Sequence, residues 1–516
     1  MTDPRRRAVT IVVPVYGDLP SLIECVESLE QNVDLTHDQV LLVNDCGPDA
    51  DEIERALLDR IGGVAGFRYE RNERNLGFVG NCNRAVLELD TTDNDILLLN
   101  SDTITTPGFV DELSAVLHLS PTHGVVCPRS NNATIASLPY QLRVPSSPRT
   151  IERSREVHRA LAETLPRFSI APVSMGFCFL IRRELIARFG LFDEVFAPGY
   201  GEENDFCLRV NAHGFSALIA HRVIVFHAGS LSFVGERRNT LRTAHEAILA
   251  SRYPWYGSMV QSYLHVDRDP VDVFADALVP GDDSIRVLVE FGEGPIAAQT
   301  ATAIVETLRA LPDDRLVLTV SAPPGARREV AARFPGISHY AASAVSGIWD
   351  AVMFDPAAID PSRLPVLNRF APRWIVSVGD LGGTTRWADR AANSTASAAM
   401  REALTSAEAV LASDDSTALA VASLLTTRRV DSSTILTTGP ERRPETADAL
   451  LDLLRRPVDT ARLRARWMRQ TSSAPRSTPA LGPRPSFARR VARRLARISP
   501  RAAGAAHSVL RRVRGA

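Results

Sequence analysis

The segment Asp95-Ile-Leu-Leu-Leu-Asn-Ser-Asp102 is a run of apolar residues closed by an amide and, two positions later, by a carboxylate. A short apolar run of this length, bounded by polar residues, has the pattern of a strand buried on both faces, as in a parallel sheet covered by helices. Upstream the same pattern recurs. Val9–Val15 is a β-branched run ending in Pro14-Val15-Tyr16-Gly17, Gln39–Asn44 runs into Asn44-Asp45-Cys46-Gly47, and Phe67–Arg71 precedes the polar segment around Asn75-Leu76-Gly77. Between them lie helical patterns: Leu22, Val26 and Leu29 on one face, then Ile53–Ile61, then Gly80–Leu89. This is a βαβαβ rhythm, and in such sheets ligands collect at the carboxyl ends of the strands. Asp45, Asn75-Leu76-Gly77 and Asn100-Ser101-Asp102 all fall at those ends.

Downstream, Pro128 to about Ile170 is rich in Ser, Asn and Pro and then charged, which predicts a surface excursion. Order resumes with a strand in Val173–Ile181, a helix at Arg183–Phe189, the acidic loop Gly199–Asp205, a helix through Cys207–His213 and a strand over Ala217–Phe226 that ends at His227. Beyond Tyr253-Pro254 the chain runs through Asp-rich and Pro-rich residues to Asp283, and residues 271–284 read as a linker. A second αβ pattern starts at Ile285–Phe291 and recurs at Leu316–Val320, Ala351–Phe354, Trp374–Val378, Ala409–Ala412 and Thr434–Leu436. A chain of 516 residues exceeds what one hydrophobic core serves. The expected division is 8–270, a linker, 285–458, and an Arg-rich tail over 459–516.

Hydrophobic residues make up 45% and charged residues 23% of the chain, which excludes wholesale disorder, a collagen-like repeat and a disulfide scaffold. The net charge of −1 conceals an asymmetry: no acidic residue follows Asp459, whereas 15 Arg do, so an acidic body carries a basic tail. There is no stretch of about 18 apolar residues to span a bilayer. The amino terminus lacks the shape of a signal peptide, and the expected location is cytoplasmic. The 6 cysteines (Cys25, Cys46, Cys82, Cys127, Cys178 and Cys207) have no CxxC spacing, and buried free thiols are expected.

Three elements carry chemistry. A carboxylate at the mouth of a sheet, as at Asp102, can hold a hard cation such as Mg²⁺ or Mn²⁺ against phosphates, although an isolated Asp there serves equally to cap the helix that follows. Gly199-Tyr-Gly-Glu-Glu-Asn-Asp205 gathers Glu202, Glu203 and Asp205 ahead of an apolar helix. Such crowding suits one of them to act as a general base, while acids in a first helical turn also complement the helix dipole. His227 ends a strand before a small-residue loop, where a metal ligand would be presented; a lone His is also a common structural residue.

Taken together, residues 8 to about 270 resemble family 2 glycosyltransferases of the GT-A fold. The resemblance rests on Val12-Val13-Pro14-Val15-Tyr16, Val43-Asn44-Asp45, Asn75-Leu76-Gly77-Phe78 with Asn83, Asn100-Ser101-Asp102, Gly176 to Glu184, Glu202-Glu203-Asn204-Asp205 and His227, in family order. The segment Ser130-Asn131-Asn132-Ala133-Thr134 is similar to one in bacterial surface-polysaccharide members. The resemblance implies an inverting, metal-dependent hexosyltransferase of polysaccharide and cell-envelope synthesis, acting on a glycan or lipid-linked acceptor. It implies that Pro14, Val15 and Tyr16 line the nucleotide pocket, that Asp45 accepts a hydrogen bond from the base imide, and that Asn75 and Gly77 bound the nucleoside. Asn100 and Ser101 would lie at the donor, Asp102 and His227 would hold Mg²⁺ or Mn²⁺ at the diphosphate, and Glu203 would be the base, with Asp205 as a substitute. Asp45 suits a UDP- or dTDP-sugar better than a GDP-sugar. Glu203 stands where the family has Asp, and Asn100 where the commoner motif has its first Asp. The rival expectation is an inactive sugar-nucleotide-binding scaffold that recruits partner transferases.

Residues 285–458 resemble the amino-terminal half of a GT-B glycosyltransferase, a Rossmann-like α/β unit, without the donor-binding half; an interaction module is expected there. In the tail, Phe487, Val491, Leu495 and Ile498 alternate with Arg at helical spacing. Such a basic amphipathic helix over 486–499 suits an anionic membrane at the inner face of the plasma membrane, or docking on the protein's own acidic body. No nucleic-acid partner is expected, because the tail has no interleaved aromatics.

Overall fold

Apolar runs and short polar ends build two β-sheets. The computed structural model describes residues 6–228, 236–291, 315–323, 326–341, 347–379, 394–427, 434–438 and 443–473, with scattered positions between 302 and 309. The first sheet uses β1 (Val9–Val15), β2 (Gln39–Asn44), β3 (Phe67–Arg71), β4 (Asp95–Leu99), β6 (His123–Arg129), β7 (Phe168–Ala171), β8 (Cys178–Ile181) and β9 (Ser216–Ile224). Its order is β3-β2-β1-β4-β8-β6-β9-β7. The β1, β2, β3 and β4 neighbours are parallel, whereas β8 runs antiparallel between β4 and β6, and β7 antiparallel to β9. A separate two-stranded ribbon pairs β5 (Thr103–Ile104) with β10 (Phe226–His227), setting His227 opposite Thr103.

The continuous apolar runs are explained by burial on both faces: Val9, Ile11, Val12, Val13 and Val15 of β1, and Ile96, Leu97 and Leu99 of β4, are fully buried. Helices Leu19–Asn32, Ala50–Ile61 and Phe109–His118 cover the sheet, burying Leu22, Val26, Leu29, Ile53, Leu57 and Leu113. The periodicity of 3.6 residues in those sequences thus faces the sheet.

The second sheet comprises β11 (Ile285–Glu290), β12 (Leu316–Ala322), β13 (Ser338–Ala341), β14 (Ala351–Phe354), β15 (Arg373–Val378), β16 (Ala409–Ala412) and β17 (Thr434–Thr437). Its order is β13-β12-β11-β14-β15-β16-β17 and every pair is parallel. Chain order reverses between β11 and β14, as in doubly wound Rossmann-like sheets. The architecture is therefore a GT-A-like sheet domain followed by a second, parallel α/β domain. No helix among the described residues is long and apolar enough to cross a membrane. All six cysteines are free, and only Cys46 is not fully buried.

Three expectations about the connections change. The surface excursion over 128–170 is largely internal: Ser130, Asn131, Ile135, Ala136 and Leu138 are buried, and so are Val157 and Leu161 of helix Ile151–Leu161. The Ser/Asn-rich stretch can be buried because its side chains satisfy backbone groups, Ser137 Oγ accepting from Ala133 N at 3.0 Å for example. Within 271–284, read as a linker, Pro270–Val273 and Ala275–Leu278 form short helices whose residues Val271, Phe274 and Ala275 are buried. Residues 460–473, read as the start of the tail, form helix Thr460–Ser473, with Leu463 and Trp467 packed on Val273 and Phe274. The chain divides into compact units at Met468/Arg469. The amphipathic segment expected at 486–499 lies outside the described residues.

Candidate active site

At the carboxyl end of β4 the chain leaves the sheet through Asn100, whose backbone N–H donates to the Phe177 carbonyl at 2.9 Å. Two residues on, Asp102 faces His227 across the β5–β10 ribbon, with Oδ1 and Nε2 3.3 Å apart. The Asn100 amide lies 3.3 Å from the same Nε2. Asp102 is no helix cap: the next helix, Phe109–His118, starts after Gly108 without a side-chain cap.

His227 is held from behind. Its Nδ1 lies 2.8 Å from the Asn132 carbonyl, and its backbone N–H and C=O pair with the Asn131 side chain at 2.8 and 3.1 Å. A carbonyl can only accept, so Nδ1 carries the proton and the Nε2 lone pair of the neutral ring is aimed at Asp102. Phe177 stacks on the imidazole with centroids 5.4 Å apart. Burial pushes the imidazolium down, but the hydrogen bond and charge of Asp102 outweigh it and the pKa stands above the ordinary histidine value. Asn131, Asn132 and Phe177 had no assigned role in the sequence; the Ser-Asn-Asn run and the aromatic beside Gly176 were the available signals.

No group of three or more His, Cys, Asp or Glu side chains is gathered as a metal cage among the described residues. One carboxylate and one imidazole, with their remaining positions open, nevertheless fit a divalent ion that takes its other ligands from phosphate and water.

Asp45, at the end of β2, is buried and accepts from Leu76 N at 2.8 Å and from the Asn72 amide at 2.7 Å, both on Oδ1. Burial raises its pKa, against the hydrogen bonds of Leu76, Asn72 and Gly77. Asn75 Oδ1 accepts from Gly77 N at 3.0 Å. Gly77 has φ +75°, and a Cβ there would stand 2.9 Å from Pro198 Cβ, so a glycine lets this turn close against the approach to the acidic loop. On the other flank Pro14 and Val15 pair with Val43 and Asn44, and the Tyr16 ring is 38% exposed. The Tyr16 carbonyl sits where a Cβ on Gly47 would be, so β1 and β2 end in direct backbone contact.

The acidic loop turns through Tyr200 (φ +77°) and Gly201 (φ +100°) into helix Glu202–Asn211. Its three acids have different surroundings. Asp205 is buried and bound by Arg252 Nη1 at 2.8 Å, Tyr253 Oη at 3.1 Å and Arg209 Nε at 3.3 Å. Glu202 is buried, and its Oε2 has no hydrogen-bond partner among the described residues; burial and the Glu203 charge hold its pKa well up. Glu203 is half-buried, with its Cγ 3.3 Å from the Cβ position of Gly176, and burial raises its pKa. Gly176 and Phe177 thus join Glu203 to the His227 corner.

Comparison with known proteins bears on this same segment. Residues 10–190 match the family model for glycosyl transferase family 2. The match spans β1 to the end of helix Arg183–Phe189 (Asp45, Asn75, Asn100, Ser101 and Asp102 included) and stops before the acidic loop, His227 and residues 285–458. A galactofuranosyl glycosyltransferase of Leishmania donovani is 29% identical over 108 residues, which is 20% of this chain and 23% of that protein. The chain therefore spans less than a quarter of that curated relative. Among solved structures, mannosyltransferase PcManGT from Pyrobaculum calidifontis in complex with GDP-Man and Mn²⁺ is similar at 18% identity and TM-score 0.37, over 60% of this chain and 83% of that one. GalNAc-T7 with UDP, GalNAc and Mn²⁺ is similar at 15% identity and TM-score 0.36, over 45% of each chain. In this chain the segment matched by that family model supplies the strand ends and loop 172–177, and β9 and β10 return His227 to Asp102.

Proposed function

We propose that the protein is an inverting, metal-dependent glycosyltransferase that moves a hexose-type sugar from a nucleotide donor to a glycan or lipid-linked acceptor. The observation that carries this reading is the meeting of Asp102 with the tautomer-fixed His227, at 3.3 Å, inside a domain whose first part matches family 2. A divalent ion held by Asp102 and His227 would offset the charge that develops on the departing nucleoside diphosphate. Asp45 accepts the imide N–H of a uracil or thymine base, and Asn75 and Gly77 bound the nucleoside opposite Pro14, Val15 and Tyr16. Asn100 and Ser101 line the donor between base and cation.

Glu203 is the base. The arginines on Asp205 keep that carboxylate in a structural role, whereas no arginine is bonded to Glu203 among the described residues. Glu203 takes the proton of the acceptor hydroxyl as its oxygen bonds to the anomeric carbon. The bond from that carbon to the diphosphate oxygen breaks on the opposite face, its electron pair leaves with the diphosphate, and the configuration inverts. Burial raises the proton affinity of Glu203, and the adjoining Glu202, whose own pKa burial and the Glu203 charge hold higher still, is the acid of the pair that keeps its proton. The acceptor suits surface-polysaccharide synthesis at the inner membrane face.

A thermal-shift panel of UDP-, dTDP- and GDP-sugars, each with and without Mn²⁺, tests the donor and the metal together, because a ligand of the folded state raises its midpoint. A Mn²⁺-dependent rise with UDP- or dTDP-sugars is expected, and it should vanish in Asp102→Ala. Binding without transfer or hydrolysis in the wild type would favour a scaffold.

A further inference from the structure

Behind the His227 corner lies a cluster of charge that the proposed reaction does not use. Arg129 ends β6, one residue before the Ser130-Asn131-Asn132 loop that holds His227, and it is fully buried. Its guanidinium pairs with Asp272, and Asp272 Oδ2 is also bonded by Arg268 Nε at 2.7 Å. Arg268 and Asp272 are buried too. Two guanidinium groups therefore share one carboxylate in the protein interior. Nε and Nη1 of Arg129 and both Nη atoms of Arg268 have no hydrogen-bond partner among the described residues. The Arg268 guanidinium instead lies over the Tyr140 ring at 3.7 Å. Among the described residues Asp272 is the acid paired with both guanidinium groups, and the histidines alongside, His158 and His221, are held below their ordinary pKa by burial and by Arg129. Burial and the neighbouring Arg268 charge bring Arg129 itself down to about 9. An arrangement of this kind is costly to keep, and removing its acid leaves uncompensated charge in the interior, which is strongly destabilising.

The cluster has two ends. Toward the site, Arg129 pairs with Ile224, and its carbonyl accepts from Val225 N at 2.9 Å, immediately before His227 is clasped by Asn131. Toward the second domain, Asp272 belongs to the short helix Pro270–Val273. The neighbours Val273 and Phe274 pack on Ile348 and on Leu463 and Trp467, with the Phe274 and Trp467 rings 6.0 Å apart. Asp269, which caps that helix, is bonded by Arg464 at 2.9 Å. Arg143 adds a parallel tie, bonding Asp350 at 2.6 Å while its backbone N–H donates to Asp276 at 2.7 Å.

We infer that Asp272 is a positioning residue, through Arg129, for the loop that orients His227, and that by this route the second domain sets how tightly the first domain holds its divalent cation. The inference rests on the metal site proposed above. It gives the second domain a role that needs no ligand or catalytic group of its own.

The test is Mn²⁺ titration of the full chain by calorimetry, with melting midpoints measured in parallel. Asp272→Asn is expected to weaken Mn²⁺ binding by about 3- to 10-fold, less than the 10- to 100-fold usual for a residue bonded directly to a metal ligand. The double variant Arg268→Gln/Asp272→Asn removes one charge of each sign and serves if the single variant does not fold; the same loss is expected. Val376→Ala, buried in β15 in a hydrophobic cluster separate from that of Val273, Phe274 and Trp467, should lower the midpoint and leave Mn²⁺ affinity unchanged. Wild-type Mn²⁺ affinity in a folded Asp272 variant overturns the inference, as does an equal loss in Val376→Ala. Absence of Mn²⁺ binding by the wild type is instead a failure of the metal reading, and takes this inference with it.

Discussion

The two sheets both present acids at or near the carboxyl ends of their strands, yet they treat them differently. In the second domain Glu290, the last residue of β11, is buried and clasped by Arg363 at 2.6 and 3.3 Å. Asp414, after β16, is spent on capping: it accepts from Thr417 N at 2.8 Å and Ser416 Oγ at 2.6 Å, which holds its pKa far down. In the first domain Asp102 faces an imidazole, and burial holds the Glu203 carboxyl up. Similar topology thus carries neutralised acids in one place and poised acids in the other. It is the pairing of the carboxylates, more than the sheet, that marks where chemistry belongs.

The largest effect expected from this contrast is at Glu203. Glu203→Gln should lower turnover by about 10³-fold, within the range for a lost general base, while donor binding measured by calorimetry stays intact. The wild-type pH profile sharpens the point. A base whose pKa is raised by burial is protonated, and inactive, at pH values where an exposed glutamate is still ionised. The acid limb of kcat should therefore lie above the ordinary glutamate range. Retained turnover in Glu203→Gln would move the base elsewhere.

A smaller effect is expected at Asp45. Asp45→Ala should weaken donor binding by about 10-fold, or about 1.4 kcal/mol, with little change in turnover at saturating donor. The smallest effect on transfer is expected in the second domain. Glu290→Gln leaves Arg363 without its acid and should cost about 1–3 kcal/mol of stability, read as a lower melting midpoint, with transfer per folded molecule unchanged. A large loss of transfer there would break the contrast between the two sheets.

Much of this was legible in the sequence, and for a physical reason. Strands buried on both faces are continuous apolar runs, so β1, β2 and β4 announce themselves, and the polar residues at their ends identify the donor side. Asp102 and His227 could each be suspected, but 125 positions separate them, and only the β5–β10 ribbon makes them a pair. The Asn131 and Asn132 contacts were illegible because polar loop residues look alike whether they face water or clasp a ligand. The same composition disguised the interior of 128–170. Asp205, a plausible base in one dimension, is paired with Arg209, a partner that the i,i+4 spacing on its helix could have suggested, and with Arg252, which lies 47 positions away and which no local pattern linked to it.

The packing of Trp467 on Phe274 also has a consequence for synthesis. At roughly 5–20 residues per second, the ribosome needs about 10 to 40 seconds to pass from the connecting helices to the aromatic that covers them. During that interval Val271 and Ala275 can already pack with Leu138, Val157 and Leu161, but Val273 and Phe274 lack the cover of Leu463 and Trp467. Nascent chains arrested between residues 290 and 460 should therefore be cut by protease at 266–280, and protection should appear only once the helix Thr460–Ser473 is out.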